Sequence, residues 1–162
     1  MQLTGRMRLA GPRELRVRRG PNAAVALAAA IVMMWLIPAA RSEPAPTKRF
    51  DGVWNTILSC TNSNGALGYS FEFPATVKDG VLHAEKGTTG QPGWLQLDGK
   101  ILDDGAADLY ANGIVGAAAF AVGQRPAGTQ YGYHLAVTFS GTAGEGHRVE
   151  GRPCTVVFTR KP

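Results

Sequence analysis

Helical periodicity is missing from most of this 162-residue chain. Beyond residue 42, no segment of ten or more residues repeats its apolar positions every 3.6 residues. That excludes a helical bundle or an α/β layer for the folded part. Cysteine is scarce too: Cys60 and Cys154 are the whole supply. They have neither a C-x-x-C spacing nor a flanking base, so a redox-active pair is not expected. Histidine is limited to His83, His134 and His147. His83 and His134 lie on separate predicted strands, and two nitrogens without a placed carboxylate make a poor metal set. Ser59, Ser63, Ser70 and Ser140 have no G-x-S-x-G context, which leaves a serine hydrolase unsupported. Asp103, Asp104 and Asp108 lack the alternate acidic positions of a calcium loop; turn chemistry accounts for them. No catalytic residue, metal ligand or cofactor is expected.

Long apolar runs are also few, and one stands alone. Residues 23–37 are uninterrupted apolar, follow an arginine-rich stretch, and precede P-A-A-R-S-E-P-A-P. This is the three-part pattern of a secretory signal peptide, so residues 1–42 are read as one. Cleavage after Ser42 fits best, with Ala39 and Ala40 as alternatives. As a helix the run would span about 22 Å, short of a hydrocarbon core of about 30 Å. Membrane contact is therefore expected only through this leader, if it stays uncleaved. Residues 43–49, E-P-A-P-T-K-R, read as a Pro-rich extended or disordered tether. The protein is expected in the periplasm or secreted.

The leader also explains the charge. The formal net charge is +5, but seven of the 17 Lys and Arg precede residue 43, opposed there only by Glu14. The remaining ten face 11 Asp and Glu, a net charge of −1. The mature domain has no charge reason to seek phosphate backbones, so no nucleic-acid partner is expected.

What is present is strand alternation. Asp51 to Cys60, D-G-V-W-N-T-I-L-S-C, places Trp54, Thr56, Leu58 and Cys60 on one face, expected inward. Tyr69, Phe71 and Phe73 alternate with Ser70 and Glu72; Pro74 predicts an edge or bulge. Lys78-Asp79-Gly80 turns into Val81–Glu85. Trp94–Leu97 is a strand expected to turn at Asp98-Gly99 into Lys100–Leu102. Ala106–Val115 and Tyr131–Ser140 follow, the latter with Tyr131, Tyr133, Leu135, Val137 and Phe139 on one face. Residues 116–128 read as a strand, a short helical turn or a flap over a barrel mouth. A Gly-rich loop at 141–146, a short strand at His147–Glu150 and a last strand at Cys154–Thr159 complete the chain.

Most of the 21 glycines punctuate these strands roughly every ten residues. The expected fold of residues 50–162 is therefore all-β: a single antiparallel up-and-down barrel of seven or eight strands, with a β-sandwich as the alternative. In a closed barrel the first and last strands are neighbours. In an exported domain the two cysteines on those strands predict a disulfide, Cys60–Cys154, closing a 94-residue loop.

Two features carry the functional reading. His147, Arg148, Glu150 and Arg152 fall within H-R-V-E-G-R. On a strand the last three share a face and read as a solvated ion-pair ladder, or less simply as a carboxylate-recognising patch. The aromatic stripes read as core, with Trp54, Tyr69, Phe71, Trp94, Tyr131 and Tyr133 lining any cavity the barrel holds.

Gly52-Val53-Trp54 resembles the G-x-W of lipocalin-type barrels, in which the tryptophan closes one end. The pieces F-D-G-V-W, F-P-A-T-V-K-D-G-V-L-H, P-G-W-L-Q-L-D-G and G-R-P-C resemble a family of small exported alphaproteobacterial domains of rhizobial type. That resemblance covers residues 50–160 and implies no catalytic residue. The leading expectation is an exported, non-enzymatic binding module for a small apolar or amphipathic ligand. The alternative is a barrel filled by its own side chains, acting as a structural or interaction protein of the envelope. A small enzyme ranks third; it would need His83 or His134 in a concave site beside Glu72 or Glu85.

Overall fold

The computed structural model of the protein describes residues 47–162. The signal-peptide reading of residues 1–42 and most of the tether lie outside them. Eight strands follow in chain order: β1 Gly52–Cys60, β2 Tyr69–Lys78, β3 Val81–Lys86, β4 Leu95–Ile101, β5 Ala106–Ile114, β6 Gln130–Ser140, β7 Ala143–Arg148 and β8 Cys154–Arg160. Each pairs antiparallel with its sequence neighbour, and β1 pairs with β8, so the sheet closes into an up-and-down barrel. The sandwich alternative is thereby set aside.

The inward phase follows the alternation. Trp54, Thr56, Leu58 and Cys60 of β1 are all buried, as are Tyr133, Leu135, Val137 and Phe139 of β6. Each large side chain withdrawn in this way contributes about 1.5–3 kcal/mol. The Cys60–Cys154 disulfide is formed, with Cα atoms 4.0 Å apart in directly opposed register positions.

The two ends of the barrel differ. Three tight turns, around Asp79-Gly80, Asp103–Gly105 and Gly141-Thr142, lie at one end with the chain entry and exit. Here Phe50, Trp54, Phe139 and Phe158 pack ring against ring and plug the interior. Trp54 donates its indole N–H to the Phe50 carbonyl at 3.0 Å. The Arg160 guanidinium lies over the Trp54 ring and donates to the Asp51 carbonyl. All the long loops lie at the other end.

Three expectations need correction, and one is narrowed. Asp98-Gly99 is no turn: β4 runs straight through it, with Gly99 opposite Leu109. A Cβ at Gly99 would stand 2.5 Å from the Asp108 carbonyl oxygen, so glycine there permits a close approach of strands. Residues 141–146 are not one loop either. The chain turns at Gly141-Thr142, and Ala143 already begins β7. Gly144 and Gly146 are strand residues whose side-chain space is taken by the Phe139 ring and by Val137. Pro74 marks an edge, as one of its two readings expected, and no bulge. It lies within β2, and the β2–β3 ladder begins one residue later, at Ala75–Ala84, because proline has no N–H to give it. The end of the tether is folded as well: the Thr47 N–H donates to the Ile101 carbonyl, and Lys48–Phe50 form a 3₁₀ turn.

Replacing both Cys60 and Cys154 by alanine will cost up to about 4–5 kcal/mol, the chain entropy of the 94-residue loop, in urea unfolding. The far-ultraviolet dichroism of the folded barrel will persist, because the β1–β8 ladder closes the sheet independently of the sulfur bond.

Candidate functional site

The open end is shaped by interrupted ladders. In the ladders, Tyr69–Pro74 pair only with β1, and Gln130–His134 only with β5. Flanking strands part at those two places, and long loops fill the space. The largest, residues 115–129, carries two 3₁₀ turns, Ala118–Phe120 and Val122–Gln124. Of the three readings of this segment, the helical turn and the flap are both realised.

Between flap and strands lies a cavity of about 130 Å³, open to solvent. Its walls are aromatic and aliphatic: Tyr69, Phe71, Tyr131, Ile114, Val115 and Phe120. Tyr69 stacks on Phe71 with centroids 4.6 Å apart and meets Phe120 edge-on at 6.4 Å. Tyr131 lies parallel to Tyr133, with ring centroids 6.1 Å apart. Three cations also line the space: Arg125, Arg148 and Arg152. Among the described residues, no Asp or Glu does.

The arginines are placed differently. Arg152 is 3% exposed. It donates to the carbonyls of Thr61, Leu67 and Phe120, and lies over the Tyr69 ring at 4.8 Å. It therefore fastens the 61–68 loop and the flap to the start of β8. Arg148 ends β7 in its inward phase, the phase of Gly144 and Gly146. Its guanidinium lies 3.9 Å above the centre of the Tyr133 ring. Its Nε is buried without a hydrogen-bond partner, as is the Tyr133 hydroxyl. Arg125 sits exposed on the flap.

This corrects the ion-pair ladder. β7 ends at Arg148, Gly151 turns the chain at φ 72°, and Arg152 is carried inward. Only His147 and Glu150 remain on the outside, the latter accepting from the His134 backbone N–H. Of the six aromatic residues expected to line a cavity, Tyr69, Phe71 and Tyr131 do so. Trp54 is at the opposite end, inside the ring cluster. Tyr133 is one layer below the cavity, covered by Arg148. Trp94 is out of phase with inward Leu95 and Leu97, and its indole donates to Glu85 at 2.5 Å. The flap was one of three readings of its segment, and Arg125 within it was not singled out. Arg148 and Arg152 were visible, but on the wrong face.

The histidines stand apart from this site. His83 and His134 are on the outer surface, paired with Asp98 at 2.7 Å and Asp108 at 2.9 Å. Donation of a hydrogen bond to the Asp108 carboxylate raises the His134 pKa. Neither histidine lines the cavity beside Glu72 or Glu85.

Burial raises the pKa of Tyr69 and Tyr133, and pushes Tyr131 up to about 12, against the opposing pull of the arginines. The folded state therefore holds these protons more tightly than the unfolded chain, whose tyrosines titrate near 10. Stability tied to them is complete below about pH 10 and declines as pH rises towards 12. Phenolate absorbance and dichroism followed together across this range will show tyrosine ionisation lagging until the barrel unfolds. Replacing Arg152 by methionine will lower stability by about 2–3 kcal/mol, since three part-buried hydrogen bonds to the Thr61, Leu67 and Phe120 carbonyls are lost. Hydrogen exchange of the 61–68 loop and the flap will accelerate in that variant. No family model, curated protein or solved structure matches the chain, and the site is read from its own residues.

Proposed function

We propose that the protein is an exported binding module that takes a small amphipathic ligand at the open end of its barrel. One observation carries this reading: the aromatic-walled cavity of about 130 Å³ where the interior could have been closed. The opposite end shows that this chain can plug a barrel with rings. At the open end Tyr69, Phe71 and Tyr131 are left partly exposed. Apolar surface kept in a concave, loop-covered position is the usual form of a small-molecule site. Export rests on the leader pattern of residues 1–42 together with the disulfide, which an oxidising compartment permits. Periplasmic or secreted placement is the corresponding proposal.

A second reading has its own support. Below Tyr133 the interior is packed solid, and Leu67, Phe120 and Val149 are exposed on three loops around the mouth. That rim suits an interaction protein of the envelope whose cavity is incidental.

Saturation-transfer NMR with benzyl alcohol, a neutral ring-sized probe, separates the two. The binding reading predicts transfer from the protein, with a dissociation constant of about millimolar or tighter. Ala117→Trp, which fills the cavity from an exposed wall position, will abolish it without lowering the thermal midpoint. No transfer to the wild type, or equal transfer in the variant, favours the interaction reading.

A further inference from the structure

Resting on the binding reading, we infer that the ligand is a ring-bearing carboxylate, with its acid group held by Arg148 and its ring between Tyr69, Phe71 and Tyr131. The charge distribution is the first ground. The domain from residue 43 onward carries a net charge of −1, yet three of its arginines converge on one cavity that no carboxylate lines. Arg152 has its three carbonyl acceptors. Arg125 and Arg148 have no hydrogen bond or ion pair with any described residue; the Arg148 guanidinium lies over the Tyr133 ring. Like charges gathered beside an apolar wall raise one another's energy, and an anion entering the space lowers it.

The second ground is the state of Arg148. Its Nε is buried and unpaired. A buried donor without an acceptor costs about 1–3 kcal/mol, and such groups in a folded protein call for an explanation. The Nε edge of a guanidinium is one that a carboxylate takes with two parallel hydrogen bonds. The Tyr133 ring lies under the guanidinium and restricts its motion before any ligand arrives. Arg148 thereby supplies both the charge and the geometry, and Arg125 on the flap adds a second cation from the solvent side.

The third ground is size. A cavity of about 150 Å³ lined by apolar side chains holds benzene. The 130 Å³ here suits one six-membered ring, and the aromatic walls offer faces and edges for it to stack against. A long acyl chain does not fit, because Leu135, Leu109 and Leu97 fill the barrel further down.

Benzoate and benzamide share a shape and differ in charge, which makes them the decisive pair. Both are titrated into the disulfide-bonded domain, uniformly labelled with ¹⁵N, at low salt, reading backbone amides and arginine Nε–H signals. Benzoate is expected to bind at least about tenfold more tightly than benzamide, moving the Arg148 Nε–H resonance. Arg148→Met keeps the apolar cover over Tyr133. It should raise the benzoate dissociation constant about tenfold and shift that of benzamide less than about threefold. Arg148→Lys should recover only part of the loss, since lysine lacks the fork. Benzamide binding in the methionine variant also reports that the barrel is folded. Equal binding of the two compounds to the wild type overturns the carboxylate assignment while leaving the binding reading in place. Unchanged benzoate affinity in Arg148→Met overturns that assignment too. Failure of benzoate, benzamide and benzyl alcohol alike overturns both.

Discussion

The seam between β1 and β8 is the constraint on which everything else depends. Without it the barrel is a curled sheet with two exposed edges, each a row of unpaired backbone groups. The seam runs in register from Trp54 opposite Arg160 to Cys60 opposite Cys154. Each end has its own fastening. At the closed end Arg160 lies over Trp54 and donates to the Asp51 carbonyl, while Asp51 accepts the amides of Asp79 and Gly80 at 2.9 Å. At the open end the disulfide joins the strands at the last paired position. Six residues beyond Cys60, Ala66 is a buried residue of the loop that Arg152 fastens. The cross-link thus anchors the strand ends from which two mouth loops depart.

That anchoring lets one end of the barrel stay open. A barrel of eight strands has an interior that side chains just fill. This one fills it from Phe50 up to Tyr133 and then stops. The β2–β3 and β6–β7 ladders stop short of the mouth, and backbone pairing gives way to loops held by a buried arginine. Rings that would be core one layer down become walls, and a guanidinium is left with an unpaired buried donor. The binding reading and the carboxylate inference both rest on this one break in layering.

The sequence made the barrel legible through its aromatic alternation. Tyr69, Phe71 and Phe73, and Tyr131 through Phe139, could satisfy period two only as strands, and the terminal cysteines required neighbouring ends. Glycine was the source of error. Gly99, Gly144 and Gly146 resemble turn residues in sequence, yet each occupies a strand position where a neighbouring ring, side chain or carbonyl takes the place of a side chain. Misplacing β7 by those glycines moved Arg148 and Arg152 to the solvent face and separated them from the expected cavity residues Tyr69, Phe71 and Tyr131. The flap stayed one reading among three, and Arg125 went unnoticed, for a different reason. Their positions follow from where the β2–β3 and β6–β7 ladders stop, which is a property of the closed sheet and of no local pattern.

The proposed binding of a small acid at the open end predicts that the protein carries one when it is isolated. Native mass spectrometry of the protein recovered after export, beside a sample denatured and refolded without ligand, is the most direct test. An added small-molecule mass is expected in the first sample, absent from the second, and restored when benzoate is supplied. The bare chain in the exported sample, with no mass gained from benzoate after refolding, would contradict a binding site at this end of the barrel.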